Sequence, residues 1–312
     1  MSITVERFMF QSLEPESSAS ETLPYWDTIC PQLGGRSEAD SLRSGVGWDG
    51  NPFEYGFELK SSGKDQAVRF VVDVSPLRPA DDTNPLDIKN FEVVLDALSK
   101  KTPGFDDTWY TSLRKWFVHS HRSTAEQKDL VAQAGYQMPM ILGFDIGCHL
   151  PIPDAIPVMA KVYFPPCFTA VAEGITRWEA VRRGTRREYE NGPRYLATDF
   201  VTTEKARLKI YMRHPAESFD DIWDYYTLGG RISDLDEDKE KFRELVSHLR
   251  KMTALYFSLS TDNPTPAPKI CFYPANFAAN DEVIGQGIDE WLQKYGWNEG
   301  GKPMKERVRS VL

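Results

Sequence analysis

Three short segments set lysine or arginine and tyrosine at alternate positions, with aliphatic or aromatic residues between them. They are Lys161-Val162-Tyr163-Phe164-Pro165, Arg207-Leu208-Lys209-Ile210-Tyr211-Met212-Arg213 and Lys269-Ile270-Cys271-Phe272-Tyr273-Pro274. Strand side chains alternate between two faces, so each segment carries one cationic, phenolic face and one apolar face. In a sandwich the polar face would meet solvent, and a tyrosine beside a lysine would mean little. Three repetitions of the pairing instead favour a shared polar interior. Cations converging inside a barrel would bind an anion such as a diphosphate, and surrounding tyrosine faces would shelter a carbocation.

The elements that must position these residues follow from periodicity. Residues Asn51 to Lys60 and Ala67 to Asp73 alternate as two strands joined by the turn-forming run Ser61-Ser62-Gly63-Lys64-Asp65. Phe53, Tyr55, Phe57 and Leu59 fall on one face of the first strand, with Glu54, Gly56, Glu58 and Lys60 on the other; in the second, Val68, Phe70 and Val72 oppose Arg69, Val71 and Asp73. Helices are expected from Asn84, as cap, with Pro85 at the first helical position, to Lys101, and from Asp106 to His119. Further strand pairs are expected at 137–145 with 156–164, 195–203 with 206–213, and 255–260 with 269–273. Helices follow each pair, to about Arg187, at 218–226 and 236–252, and at 281–295. Two strands and then helix is a repeat of architecture that residue identity does not show.

The chain has 312 residues and a net charge of −9, the wrong sign for tracking nucleic-acid phosphates. Its apolar runs are too short to span a bilayer, and the basic-then-apolar pattern of a signal peptide is not seen at the start, so a cytoplasmic protein without membrane or nucleic-acid partners is expected. Cys30, Cys148, Cys167 and Cys271 are widely spaced, with neither zinc-ligand nor disulfide-framework spacing, and are read as reduced. His119-Ser120-His121 reads as a solvated helix end.

Together these features predict an α/β protein: a closed antiparallel β-barrel with a polar lumen surrounded by helices, one domain over 1–312, of which 1–38 is a short N-terminal segment. The segments resemble the aromatic prenyltransferases of the fungal dimethylallyltryptophan synthase type, whose αββα repeats close a ten-stranded barrel. The resemblance rests on Asn51-Pro52-Phe53-Glu54-Tyr55 followed by Val68-Arg69-Phe70, on the three lysine/arginine-tyrosine segments, on Thr227-Leu228-Gly229-Gly230-Arg231, and on Asn280-Asp281. It implies diphosphate-binding roles for Arg69, Lys161, Arg207, Lys209 and Lys269, and a cation shield of Tyr163, Tyr211 and Tyr273. It also implies that Glu54 is the carboxylate that accepts the acceptor's N–H proton. A rim salt bridge of Glu54 with Lys60 or Arg69 is the bland alternative. The chain departs from the family in an abbreviated stretch between Trp26 and Arg43, in Cys271 where tyrosine is usual, and in Phe277, a ring without a hydroxyl.

Asp220-Asp221-Ile222-Trp223-Asp224 is a literal D-D-x-x-D, the magnesium motif of all-helical terpene synthases. Here it opens a helix, where acids favour the dipole, and the second metal motif of those enzymes is missing. The expected activity is transfer of a prenyl group, most simply dimethylallyl, from its diphosphate to an electron-rich indole or phenol, by a monomer or homodimer. No metal or cofactor is expected to be required, although magnesium would stimulate modestly. The alternative is a terpene cyclase acting on a prenyl diphosphate or a prenylated intermediate.

Overall fold

The computed structural model describes residues 44, 46, 53–57, 68–74, 84–146, 158–174, 192–214, 218–246, 253–271, 281–296 and 303. Its strands are β1 (Phe53–Phe57), β2 (Val68–Val72), β3 (Ile141–Ile146), β4 (Val158–Phe164), β5 (Gly192–Asp199), β6 (Leu208–His214), β7 (Thr253–Leu259) and β8 (Ala267–Cys271). They pair antiparallel in sequence order from β1 to β8. Among the described residues three helices separate β2 from β3: α1 (Lys89–Lys101), α2 (Thr108–Phe117) and α3 (Thr124–Ala134). Then come α4 (Cys167–Ala172) after β4, α5 (Phe219–Tyr226) and α6 (Asp236–Val246) after β6, and α7 (Asp281–Lys294) after β8.

Alternation along the strands builds two environments. Phe70 and Val72 of β2, Leu142 and Phe144 of β3, and Ala160, Val162 and Phe164 of β4 form one apolar surface. Phe91, Val94, Leu95 and Leu98 of α1 lie on it at helical spacing, with Tyr110 of α2. Phe70 stacks on Phe144 with ring centroids 4.7 Å apart. The opposite parity, Arg69, Val71, Gly143, Asp145, Lys161 and Tyr163, faces away from these helices.

That second face is concave. β2 and β7 stand five strand intervals apart, roughly 24 Å in a flat sheet. Yet Arg69 Nη1 donates to Tyr256 Oη at 3.1 Å. Two side chains cannot span such a gap, so the sheet must curl until its polar face lines a lumen. Among the described residues no ladder joins β8 to β1. The expected helix-wrapped antiparallel sheet with a polar interior is therefore present as an eight-stranded curl.

Several local expectations are corrected. α1 begins at Lys89, not at an Asn84 cap. Asn84 instead starts a turn, its carbonyl accepting from Asp87 N at 3.1 Å, while Leu86 N donates to Gln127 Oε1 at 3.0 Å. The fixed φ of Pro85 suits that turn, and Leu86 is buried against Leu130 and Phe168. α3 was not expected, because its apolar face is short. Its termini were readable: Ser123 and Glu126 form a reciprocal capping box, and Gly135 closes the helix at φ 63°. His119 is buried and not solvated. Its Nε2 pairs with Thr169 Oγ1 at 3.1 Å and its Nδ1 accepts from Arg122 Nε at 3.3 Å, tying the end of α2 to α4. Burial first, then the Arg122 charge, pushes its pKa down to about 4.

Candidate active site

The register of the ladder sets the lumen in rows. Glu54, Val71, Gly143, Lys161 and Asp199 stand opposite one another from β1 to β5. Tyr163, Ala197, Lys209 and Ser258 form the next row, followed by Tyr195, Tyr211, Tyr256 and Lys269. Arg69 is opposite Asp145.

Four of the expected cations meet on two aspartates that sequence reading missed. Lys161 Nζ donates to Asp145 Oδ1, and Arg69 Nε lies 3.1 Å from the same oxygen. Lys209 Nζ donates to Asp199 Oδ1 at 2.5 Å, and Arg207 Nε to Asp199 Oδ2 at 2.8 Å. Both aspartates and both lysines are buried. Burial opposes ionisation of Asp145, but Lys161 and then Arg69 outweigh it and hold its carboxyl below the usual range. Lys209 and Arg207 do the same for Asp199. The lysines respond differently. Burial and then Lys161 bring the Lys209 ammonium down to about 7, against the pull of Asp199, and burial lowers Lys161 as well. Four cations thus share two carboxylates, so the fully charged cluster is excess-positive and suited to a polyanion.

Aromatic rings fill the adjoining level. The ring centroids of Tyr163 and Tyr211 are 5.2 Å apart, those of Tyr211 and Tyr256 4.6 Å, and Tyr195 meets Tyr163 edge-on at 6.1 Å. Tyr136, from the loop after α3, pairs its hydroxyl with that of Tyr195 at 2.9 Å. Val46, Met138 and Ile141, the last directly opposite Tyr163, form an apolar cluster with Tyr163. Glu54 carries a carboxyl whose pKa burial raises to about 7. Arg69 is directed to Asp145 and Tyr256.

Of the residues expected from sequence, Arg69, Lys161, Arg207, Lys209, Tyr163 and Tyr211 are brought together. Lys269 stands apart from the aspartates, its Nζ 5.9 Å from the Tyr256 ring centroid. Tyr273 and Phe277 lie outside the described residues. Asp145, Asp199, Tyr195 and Tyr256 were missed, although strand parity alone puts each on the polar face. Gly143 was missed too. A Cβ there would stand 2.6 Å from the Tyr163 ring and 2.9 Å from Lys161 Cγ, so its absence lets both side chains cross β3. Asp220 and Asp221 have other duties: Asp220 Oδ1 accepts from Arg243 at 3.3 Å, and Asp221 N donates to the capping Ser218 Oγ at 3.1 Å. The Thr227-Leu228-Gly229-Gly230 run holds three successive left-handed residues, φ 52°, 67° and 76°, which favours the two glycines.

Buried cations and a wall of tyrosines share this lumen, and the protein is a prenyl-transferring enzyme. The chain is a member of the tryptophan dimethylallyltransferase family, which it matches over residues 15–307. Prenyltransferase phnF of Penicillium herquei is 50% identical, the match covering 92% of this chain and 76% of that protein. DMATS-type prenyltransferase mfmD of Annulohypoxylon moriforme is 46% identical, over 99% and 81%. Among solved structures, AnaPT from Neosartorya fischeri has a TM-score of 0.77 at 19% identity, covering 98% of this chain and 81% of that one. NotF in complex with brevianamide F and DMSPP also reaches 0.77, at 17% identity, covering 99% and 83%. These structures share the fold.

Gly143→Ala should displace Tyr163 and Lys161 and cost roughly 1–3 kcal/mol by overpacking. A tenfold or greater loss of turnover, with a lowered melting temperature, is expected; wild-type behaviour in both would refute the close approach. Because the empty site leaves Lys209 partly neutral near pH 7, binding of a polyanion should draw in a proton. Titration with dimethylallyl thiolodiphosphate at about pH 8, in two buffers of different ionisation enthalpy, should register that uptake. Lys209→Met should remove most of it and weaken binding.

Proposed function

We propose that the protein moves a dimethylallyl group from its diphosphate to a carbon of an electron-rich aromatic acceptor, an indole or a phenol. The observation that supports this best is the shared lumen, in which the cation cluster and the tyrosine wall are adjacent levels of one cavity. The relatives' names and the DMSPP complex of a structural neighbour support the same donor. Family membership favours transfer over terpene cyclisation.

In this reading Arg69, Lys161, Arg207, Lys209 and Lys269 hold the diphosphate. Heterolysis of the C–O bond sends the electron pair onto the leaving diphosphate, whose growing charge the cations stabilise. Tyr163 and Tyr211 cover the allylic cation with their faces and keep water away, and Tyr273 is assigned to the same shield. A ring carbon of the acceptor then forms the new C–C bond. Glu54, ionised, accepts the acceptor's N–H or O–H hydrogen bond and raises the electron density of the ring. Loss of the ring proton restores aromaticity. No metal is required, because side-chain cations supply the counter-charge.

Two of these groups have values near 7 with opposite requirements: Glu54 works as its carboxylate, above its pKa, and Lys209 as its ammonium, below its pKa. Turnover should therefore peak near neutrality and fall on both sides, the apparent values belonging to the coupled site. Glu54→Gln should lower turnover roughly a hundredfold and flatten the acid limb. A wild-type rate and profile would remove Glu54 from the mechanism. Activity should also survive excess EDTA, and the double change Asp220→Asn with Asp221→Asn should leave it within a few-fold. Complete inhibition by EDTA, reversed by magnesium and copied by the double variant, would overturn the metal-free reading.

A further inference from the structure

Tyr256 belongs to none of the cation-and-tyrosine segments, yet it joins the two halves of the lumen. It sits on β7 between Tyr211 and Lys269 in register and is 5% exposed. Its ring lies 4.6 Å from that of Tyr211, while its hydroxyl accepts from Arg69 Nη1 at 3.1 Å. Arg69 thus forms an ion pair with Asp145, its Nε 3.1 Å from Oδ1, and donates a hydrogen bond from Nη1 to Tyr256. On β8 the lumen position after Lys269 is Cys271, which offers a thiol and no ring. The Lys269 ammonium stands over the Tyr256 face, so this ring already accommodates a cation.

We propose that Tyr256 serves the donor twice: its hydroxyl fixes the Arg69 guanidinium for the diphosphate, and its ring covers the allylic cation on the side where Cys271 leaves the wall thin. The two roles separate chemically. The hydroxyl is a hydrogen-bond acceptor for a charged donor, and its removal takes that contact from Arg69. The ring supplies a π face and excludes water, and its removal opens a path by which water captures the cation. Capture forms a C–O bond to water, releases a proton and yields dimethylallyl alcohol in place of the aromatic product.

The inference rests on the donor-diphosphate reading given under the proposed function, and the test keeps the two apart. Full-length wild type, Tyr256→Phe and Tyr256→Leu are compared for affinity towards dimethylallyl thiolodiphosphate and for the ratio of dimethylallyl alcohol to prenylated product. Tyr256→Phe should bind the analogue about tenfold more weakly with an unchanged ratio. Tyr256→Leu should show the same loss of affinity and a ratio raised at least fivefold. An unchanged affinity in Tyr256→Phe overturns the positioning role, and an unchanged ratio in Tyr256→Leu overturns the shielding role. Should Tyr256→Leu fail to fold, Tyr256→Met carries the ratio measurement with a side chain of similar bulk and no ring. A wild type that neither binds the analogue nor consumes dimethylallyl diphosphate refutes the donor reading itself, independently of either variant.

Discussion

Placing several cations inside a protein is costly, and everything else in this lumen is arranged around that cost. An isolated buried ammonium loses its hydration and tends to give up its proton. Lys161 and Lys209 avoid this only in part, because each shares a buried aspartate with an arginine. Asp145 and Asp199 thus make the cationic cavity foldable before any anion arrives. They do so incompletely, since two carboxylates cannot neutralise the surrounding cations. The remaining positive charge is what a diphosphate would satisfy, and the depressed Lys209 is the part of the cluster most responsive to it.

The apolar outer face makes the polar inner one possible. A curled sheet with charges on its concave side can be stable only if its convex side is buried elsewhere, and here α1 and α2 cover Phe70, Val72, Phe144 and Phe164. The curl also sorts the lumen along its length. Asp145 with Arg69 and Asp199 with Lys161 lie towards one end, Tyr195, Tyr211 and Tyr256 towards the other, and Lys209, Tyr163 and Ile141 share the row between. A donor with a charged head and an apolar tail fits that gradient, with the bond to be broken at the boundary between cations and rings. Glu54, lifted by burial to about 7, stands in the ladder row that runs through Gly143 to Lys161 and Asp199.

Much of this arrangement was legible in the chain. Strand parity placed Arg69, Lys161, Tyr163, Lys209 and Tyr211 on a common face because the alternation of side chains is a local property of extended backbone. The same rule applied to Ile141, Gly143 and Asp145, or to Tyr256 and Ser258, would have put those residues in the lumen as well. They escaped notice because a lone aspartate or tyrosine on a polar face is ordinary, whereas a repeated lysine-tyrosine pairing is not. The corrected helix start near Asn84 and the missed α3 have a different origin. Pro85 opens either a helix or a turn with the same φ, and only the burial of Leu86 beneath α3 decides between them.

Sequence by itself therefore determined the two faces of each strand, the order of strand pairs and helices, and the chemical types available inside. Which charge answers which is a matter of register and curvature, and those belong to the tertiary structure. Arg69 and Tyr256 are 187 residues apart, and Lys209 and Asp199 meet across a hairpin whose register contains an irregularity at Pro193 and Tyr195. The Arg69–Tyr256 pair forms only when the whole sheet bends, whereas Lys209 and Asp199 need the register of their own hairpin, and neither is fixed by strand parity alone. The cost of leaving a buried charge without an opposite one then selects the pairing that is observed.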